Sequence, residues 1–364
     1  MQAPILDYLQ RHRFKKLQIC NDSATGLRAV IAIHSTALGP ATGGLRMWTY
    51  ANEQDAIMDA LRLARGMTYK YAAAGVNLGG GKAVIIGDPK TDKTEALMRA
   101  MGRMIDQLGG EYITGEDVGT TLEDMETLYS ETDYVVTLPE HCGGAGDISP
   151  ATALGSVEAM RACAERVWGS PDLAGRTVAL QGLGMVGGKA LRLLVEAGAD
   201  VRVTDLDADK VAAAVAEHGV TAVAPEDVYE QDVDIFAPYA LGAVINDETV
   251  PLLKAKVVAG AANNILAENR HGDELIARGI VFAVDYIANS GGTIFDTDRY
   301  RKGGFQPERA MANVRRVGDR MREVFAIADR DGIAYHRAAD RLAEQRIAAL
   351  DAVRLLDRPD TVHR

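Results

Sequence analysis

A chain of 364 residues, 47% of them apolar and 25% charged, suits a globular protein of two domains, since domains run to about 100–200 residues. Its formal charge of −11 excludes a basic nucleic-acid-binding face as the organising feature. No apolar run nears the roughly 20 residues of a membrane span, and the N-terminus lacks a signal-peptide core, so a cytoplasmic protein without a membrane partner is expected.

Residues 1 to 14 predict a short helix or arm. Leu17 to Cys20 and Leu27 to Ile33 read as strands joined by a turn-rich link, a hairpin pattern. From Gln54 to about Lys70, apolar residues recur at Ile57, Leu61, Ala64 and Met67, the stripe of an amphipathic helix. A buried strand follows at Ala83 to Ile86, then helices at Glu95 to Leu108 and Thr120 to Tyr129, and a strand at Tyr134 to Thr137. Such alternation predicts an α/β domain with a mixed sheet. Cys20, Cys142 and Cys163 are odd in number and lack metal-ligand spacing, and the histidines are dispersed, so reduced thiols and no metal site are expected.

Glycine and proline cluster between Pro139 and Pro150, which predicts a boundary: a first domain over 1–148 and a second over 149–330. Ser149-Pro150 opens a helix to about Trp168. Thr177 to Leu180 is a strand, Lys189 to Ala197 a helix, and Val201 to Thr204 the next strand. The turn between the first strand and the helix, Gly182, Leu183, Gly184, Met185, Val186 and Gly187, fits the Gly-x-Gly-x-x-Gly dinucleotide fingerprint. Its glycines let a pyrophosphate approach backbone at a helix N-terminus. Asp205, at the end of the second strand, would accept from ribose hydroxyls and repel a 2′-phosphate, favouring NAD; capping the next helix is its structural alternative, a job that Asp207 can do. Strands at Val233 to Phe236, Val257 to Ala259 and Val281 to Ala283 continue the sheet. Helices at Gln306 to Asp329 and Tyr335 to Leu350 follow, and Asp357 to Arg364 read as frayed.

The stretch from Gly66 to Asp88 organises the chain. It holds Lys70 and Lys82, twelve positions apart, with Gly79, Gly80 and Gly81 between them. A phosphate-binding loop fails here, because Val76 and Ala83 occupy the positions that need glycine and Ser/Thr. A tight connection with two solvated lysines is the plain alternative. A lysine at a buried strand, approached by bare backbone, would instead be desolvated and its pKa lowered, which is how a neutral amine base is made.

Gly66-Met-Thr-Tyr-Lys70, Ala72-Ala-Ala-Gly75 and Gly79-Gly-Gly-Lys82-Ala-Val-Ile-Ile86 resemble the leucine, valine and phenylalanine dehydrogenases of the Glu/Leu/Phe/Val dehydrogenase superfamily. The resemblance continues through His34 to Gly44, Thr114 to Thr121, Gly143 to Asp147, Gln181 to Gly184, Ala259 to Asn264 and Asp285 to Gly292. It implies an N-terminal mixed-sheet substrate domain and a Rossmann domain with a cleft between them, closing on substrate, and C-terminal helices over 331–364 packing back toward the first domain. The implied reaction is NAD-dependent oxidative deamination of an L-amino acid to its 2-oxo acid and ammonia, by a homo-oligomer.

On this resemblance Lys82 is the catalytic base and Asp117 the proton shuttle, with Lys70 and the backbone N–H groups of Gly43 and Gly44 on the substrate carboxylate. Asn263 and Ala240 fall on the nicotinamide side and Asn289 near the substrate. The side-chain pocket falls on Thr42, Gly115, Thr293 and Asp296. Their polarity, with room left above Gly115, suggests a larger or partly polar side chain; Asp296 as a cap or a solvent-facing residue is the alternative. Rival readings are a 2-hydroxy-acid dehydrogenase, which would want a His–Arg pair that cannot be placed, and a non-catalytic NAD-binding regulatory protein.

Overall fold

The computed structural model describes residues 4–352. Asp357 to Arg364, expected to fray, lie outside them. By internal contacts the chain divides into two units, one of Met1–Gly146, Arg299–Phe305 and Ala343–Arg364, the other of Asp147–Asp298 and Gln306–Leu342. The return to the first unit therefore comes at Ala343, later than the expected 331, and the short segment at 299–305 joins it too.

The first unit runs α1 (Ile5–Arg11), β1 (Lys16–Asp22), β2 (Leu27–Ser35), β3 (Ala41–Thr42), β4 (Leu45–Trp48), α2 (Glu53–Ala74), β5 (Gly79–Ile86), α3 (Glu95–Asp106), β6 (Tyr112–Ile113) and α4 (Leu122–Tyr129). Its sheet has the order β1-β2-β5-β3-β6, with β4 also paired to β5. β5 is central: β2 runs antiparallel on one edge, and β3 and β4 run parallel, end to end, along the other. Residues Gly79 to Ile85 are all buried, as a strand covered on both faces requires. One face packs Ile31, Met47 and Ile85 against Leu97, Met101 and Ile105 of α3; the other packs Val30 and Val84 against Ala56, Ala60 and Ala64 of α2.

α2 starts at the cap Asn52, whose side chain accepts from the Asp55 N–H, and ends at Gly75 with φ of 79°. It runs past the expected end at Lys70 because Tyr71 to Ala74 are compatible with a helix, and the first left-handed stop is the glycine. β5 likewise begins at the glycine triplet rather than at Ala83. The strand expected at 134–137 is reduced to one bridge, Thr114 to Val135. Thr137 sits at φ 57°, outside strand geometry.

The second unit runs α5 (Ser149–Trp168), β7 (Thr177–Gln181), α6 (Met185–Glu196), β8 (Asp200–Thr204), α7 (Ala208–His218), β9 (Thr221–Ala222), β10 (Ile235–Pro238), β11 (Val257–Val258), α8 (Asn269–Ala277), β12 (Val281–Phe282), α9 (Asp285–Ala288), α10 (Gly291–Asp296), α11 (Pro307–Arg315), α12 (Val317–Asp331) and α13 (Tyr335–Asp351), the last crossing back into the first unit. The sheet order β12-β11-β10-β7-β8-β9 is parallel throughout and reverses between β7 and β10, which is the Rossmann arrangement. The single helix expected over 306–329 is broken at Arg316, where ψ is 0°, a break its apolar spacing does not announce. No helix among the described residues is long and apolar enough to cross a membrane.

Candidate active site

The glycines at the start of β5 are fixed by what presses on them. A Cβ at Gly79 would meet the Ser35 carbonyl oxygen at 2.0 Å, one at Gly80 the Thr68 hydroxyl at 2.1 Å, and one at Gly81 the Tyr112 ring at 2.7 Å. α2 and β6 thus close directly on the backbone leading to Lys82, which is only 4% exposed. Between β3 and β4 the chain interrupts its pairing at Gly43 and Gly44, beside Gly81, and the Tyr112 hydroxyl donates to the Gly43 carbonyl at 2.6 Å.

Lys82 Nζ lies 2.9 Å from Asp117 Oδ1, and Arg46 Nε donates to Asp117 Oδ2 at 2.8 Å. Arg46 Nη1 reaches on to Asp59 Oδ2 at 2.9 Å, which also accepts from the Tyr50 hydroxyl at 2.6 Å. A concavity of about 510 Å³, lined by Arg46, Trp48, Tyr50, Asp59 and Val118 among others, adjoins the Arg46 end of this chain. Burial pushes the Lys82 ammonium below its ordinary range, the Asp117 charge opposes that in part, and Arg46 adds to it. Burial alone would raise the Asp117 carboxyl, but the Lys82 and Arg46 cations together hold it below the usual value. Because a guanidinium stays charged, Asp117 keeps one cationic partner when Lys82 gives up its proton.

Arg46 is thus a cation acting on Lys82 that the sequence reading did not name. Arg46 was legible in principle, as the lone charge among the buried Leu45 and Met47 of β4. Lys70 lies half-buried on α2, one turn before its end. Gly43 requires a correction: its N–H already donates to the Ile113 carbonyl at 3.2 Å, so it has no donor to offer a carboxylate. A Cβ there would meet the Gly81 carbonyl oxygen at 1.9 Å, which accounts for the glycine. Thr42 is fully buried in β3, and its hydroxyl donates to the Pro40 carbonyl at 3.4 Å. The space above Gly115 is not open either, since Val136 and Thr137 side-chain atoms stand 2.8 Å from where its Cβ would be.

In the second unit the three fingerprint glycines do different work. Gly182 has φ 102°, where a side chain is strained, and its Cβ position lies 2.8 Å from Ala240; a Cβ at Gly187 would meet the Gly182 carbonyl oxygen at 1.9 Å. Gly184, the N-cap of α6, has nothing within 4 Å of that position. Leu183 is buried, Met185 is exposed, and Val186 is half-buried in the first turn of α6. Asp205 accepts from the Leu183 N–H at 2.6 Å and the Asp207 N–H at 2.9 Å, while Asp207 itself caps α7. Asp205 therefore tensions the glycine turn rather than capping the helix. Burial would raise its carboxyl, but the Leu183 and Asp207 N–H groups hold it below the ordinary value.

Asn289 Nδ2 donates to Asn263 Oδ1 at 2.8 Å, so two of the expected site residues meet. Asn289 is 6% exposed, and its Oδ1 is buried with no hydrogen-bond partner among the described residues. Such an orphaned acceptor is costly unless a ligand donor satisfies it. Together with the open side of Gly184, it fits a dinucleotide. Thr293 and Asp296 lie on α10; Asp296 is buried, which removes the solvent-facing alternative.

The chain matches the dimerisation-domain model of the Glu/Leu/Phe/Val dehydrogenases over residues 12–134, and the Glutamate/Leucine/Phenylalanine/Valine dehydrogenase model over 143–297. It is 52% identical to a leucine dehydrogenase of Bacillus subtilis, covering 94% of each chain. A valine dehydrogenase of Streptomyces albus is 48% identical, over 93% of this chain and 94% of that one. Among solved structures, an L-tryptophan dehydrogenase from Nostoc punctiforme superposes with a TM-score of 0.85 at 40% identity, over 95% of this chain and 99% of that chain. The chain belongs to the Glu/Leu/Phe/Val dehydrogenase family, and it is an amino acid dehydrogenase.

Proposed function

We propose that the enzyme couples oxidative deamination of an apolar L-amino acid to reduction of NAD: amino acid, water and NAD⁺ give the 2-oxo acid, ammonium, NADH and a proton. The observation that carries this reading is the pairing of buried Lys82 with half-buried Asp117, 2.9 Å apart, with Lys82 biased toward its neutral form. Lys82 takes the proton from the attacking water, and Asp117, held ionised by Arg46, receives and returns the proton of the departing amine. Lys70 holds the substrate carboxylate as a charge-assisted partner, with the Gly44 N–H beside it. Gly184 to Val186 at the head of α6 would hold the pyrophosphate, with Leu183 fixed to Asp205 behind them, Asp205 the ribose hydroxyls, Ala240 the wall beside Gly182, and Asn263 with Asn289 the carboxamide or the substrate amino group. NAD, when bound, accepts the hydride from Cα.

An apolar side chain is favoured because the ground for a bulky or polar one weakens: Gly115 is covered by Val136 and Thr137, and the Thr42 hydroxyl is satisfied internally. The buried Asp296 is the observation that keeps a polar side chain as the second reading. The dimerisation-domain match supports a homo-oligomer, and the absence of disulfides among Cys20, Cys142 and Cys163 suits the cytoplasm. The test is NADH consumption with a panel of 2-oxo acids, aliphatic, aromatic and basic, with and without ammonium. Ammonium-dependent turnover led by the aliphatic acids is expected. No ammonium-dependent turnover with any of them would overturn the reaction, and a lead by the basic acids would overturn the side-chain assignment.

A further inference from the structure

We propose that Glu126, His141 and Cys142 form a binding site for a divalent transition metal of the zinc class, sharing no residue with the Lys82–Asp117 network. Glu126 projects from α4, and His141 and Cys142 are neighbours on the short 3₁₀ turn Glu140–Cys142. The ligand atoms of the three side chains, one nitrogen, one oxygen and one sulfur, all lie within 4.8 Å of one another. His141 Nε2 is 2.9 Å from Glu126 Oε1. Zinc bonds of about 2.0–2.3 Å in tetrahedral geometry put ligand atoms roughly 3.3–3.8 Å apart, so small side-chain adjustments suffice. The two negative charges of the carboxylate and a thiolate are neutralised by one divalent ion. Imidazole and thiolate select against magnesium and calcium, which prefer oxygen.

The scaffold is firm on both sides. α4 begins with a capping box between Thr121 and Asp124, and Lys93 Nζ ties Asp124 at 2.6 Å. The turn is closed by the Cys142 and Gly144 N–H groups donating to the Pro139 carbonyl, with Gly143 at φ 73° ending it. Cys142 rests against the core of the first unit. Burial and the Glu126 charge raise the thiol's pKa, while the Arg299 guanidinium favours the thiolate; a bound metal displaces that proton. Glu126 and His141 are exposed, which leaves a fourth position for water or an outside ligand. The other such group among the described residues, Asp247, His271 and Glu274, is unlike it: Arg270 already donates to Asp247 and Glu274, and His271 Nδ1 accepts from the Glu268 N–H. A guanidinium holds the place a cation would take.

The test is titration of the full chain, under a non-thiol reductant, with cobalt(II) followed by absorbance and with zinc(II) followed by calorimetry. The proposal expects one equivalent to bind, with thiolate-to-cobalt charge-transfer absorption that zinc abolishes. Cys142→Ser should eliminate the band while Cys20 and Cys163, both buried, remain. His141→Ala and Glu126→Gln should each weaken zinc binding by more than the roughly 10–100-fold that loss of an outer partner costs. Lys82→Met should bind as the parent does. Thermal unfolding of the apo variants, expected to match the parent, separates loss of the site from loss of the fold. No charge-transfer band in the parent, or a band that survives Cys142→Ser, would overturn the proposal.

Discussion

Two glycine-rich stretches adjoin the groups to which the proposed function gives roles, and they use the same residue for opposite ends. At Gly79–Gly81 the missing side chains are replaced by protein, with a backbone oxygen, a hydroxyl and a tyrosine ring pressed to within 2.0–2.7 Å of the Cβ positions. At Gly184 the space is left open, between two glycines that are themselves crowded. The first stretch drives water away from a lysine and so changes its acidity. The second exposes backbone N–H groups to whatever anion arrives. Reactivity is made by filling space in one place and by keeping it clear in the other.

The largest effect should come from Lys82→Met, which loses about 10²–10⁴-fold in kcat, the usual worth of a positioned acid–base group. NAD affinity, measured by fluorescence titration, should stay near the parent value because the nucleotide turn is untouched; loss of both together would break the division of labour. Gly81→Ala and Gly184→Ala then form a matched pair. The first forces a methyl group into the Tyr112 ring and should cost about 1–3 kcal/mol in chemical denaturation. The second should leave stability within about 0.5 kcal/mol and weaken NAD about tenfold, near 1.4 kcal/mol. Equal destabilisation by both would mean that Gly184 is a packing glycine like the others.

Arg46→Gln tests whether the acidity of the filled region is set by its permanent cation. Asp117 should then titrate higher, so the acid limb of the kcat/KM profile moves upward in pH, with a loss on the order of 10²-fold from misplacement of the carboxylate. The sign for stability follows from the depressed carboxyl. Asp117 contributes stability above its unfolded pKa of about 3.9, and that contribution is lost as pH falls through the lower folded value. In Arg46→Gln the contribution should be smaller and its loss complete at a higher pH; an unmoved acid limb would remove Arg46 from the site. The smallest effect is that of Thr137→Gly, which relieves a left-handed β-branched residue worth on the order of 1 kcal/mol and removes one of the two side chains over Gly115. A shift toward larger 2-oxo acids is expected, read as relative kcat/KM.

The architecture was legible because its signals are local. The hairpin, the amphipathic helices and the Gly-x-Gly-x-x-Gly turn with Asp205 each declare themselves within about 30 residues. β3, β4 and β6, of two to four residues each, were missed because such short pieces carry no periodicity and exist only through pairing with one another and with β5. Lys82 and Asp117 could be named from motif resemblance, whereas the role of Arg46 depended on a contact across 71 positions. The left-handed Thr137 had no signature at all, since that conformation calls for glycine. The metal-type cluster escaped for a related reason, because Glu126 meets His141 and Cys142 only when α4 folds beside the turn.

Arg346, near the end of the described chain, gathers the carbonyls of Tyr71, Ala72, Gly75 and Val76 and the Asn77 side chain around one guanidinium. The connection from Lys70 to Lys82 is thus buttoned down by a residue 270 positions beyond Val76. A ribosome-bound chain that has already made both lysines still lacks this fastening, so the connection should take its final form only after Arg346 has been made.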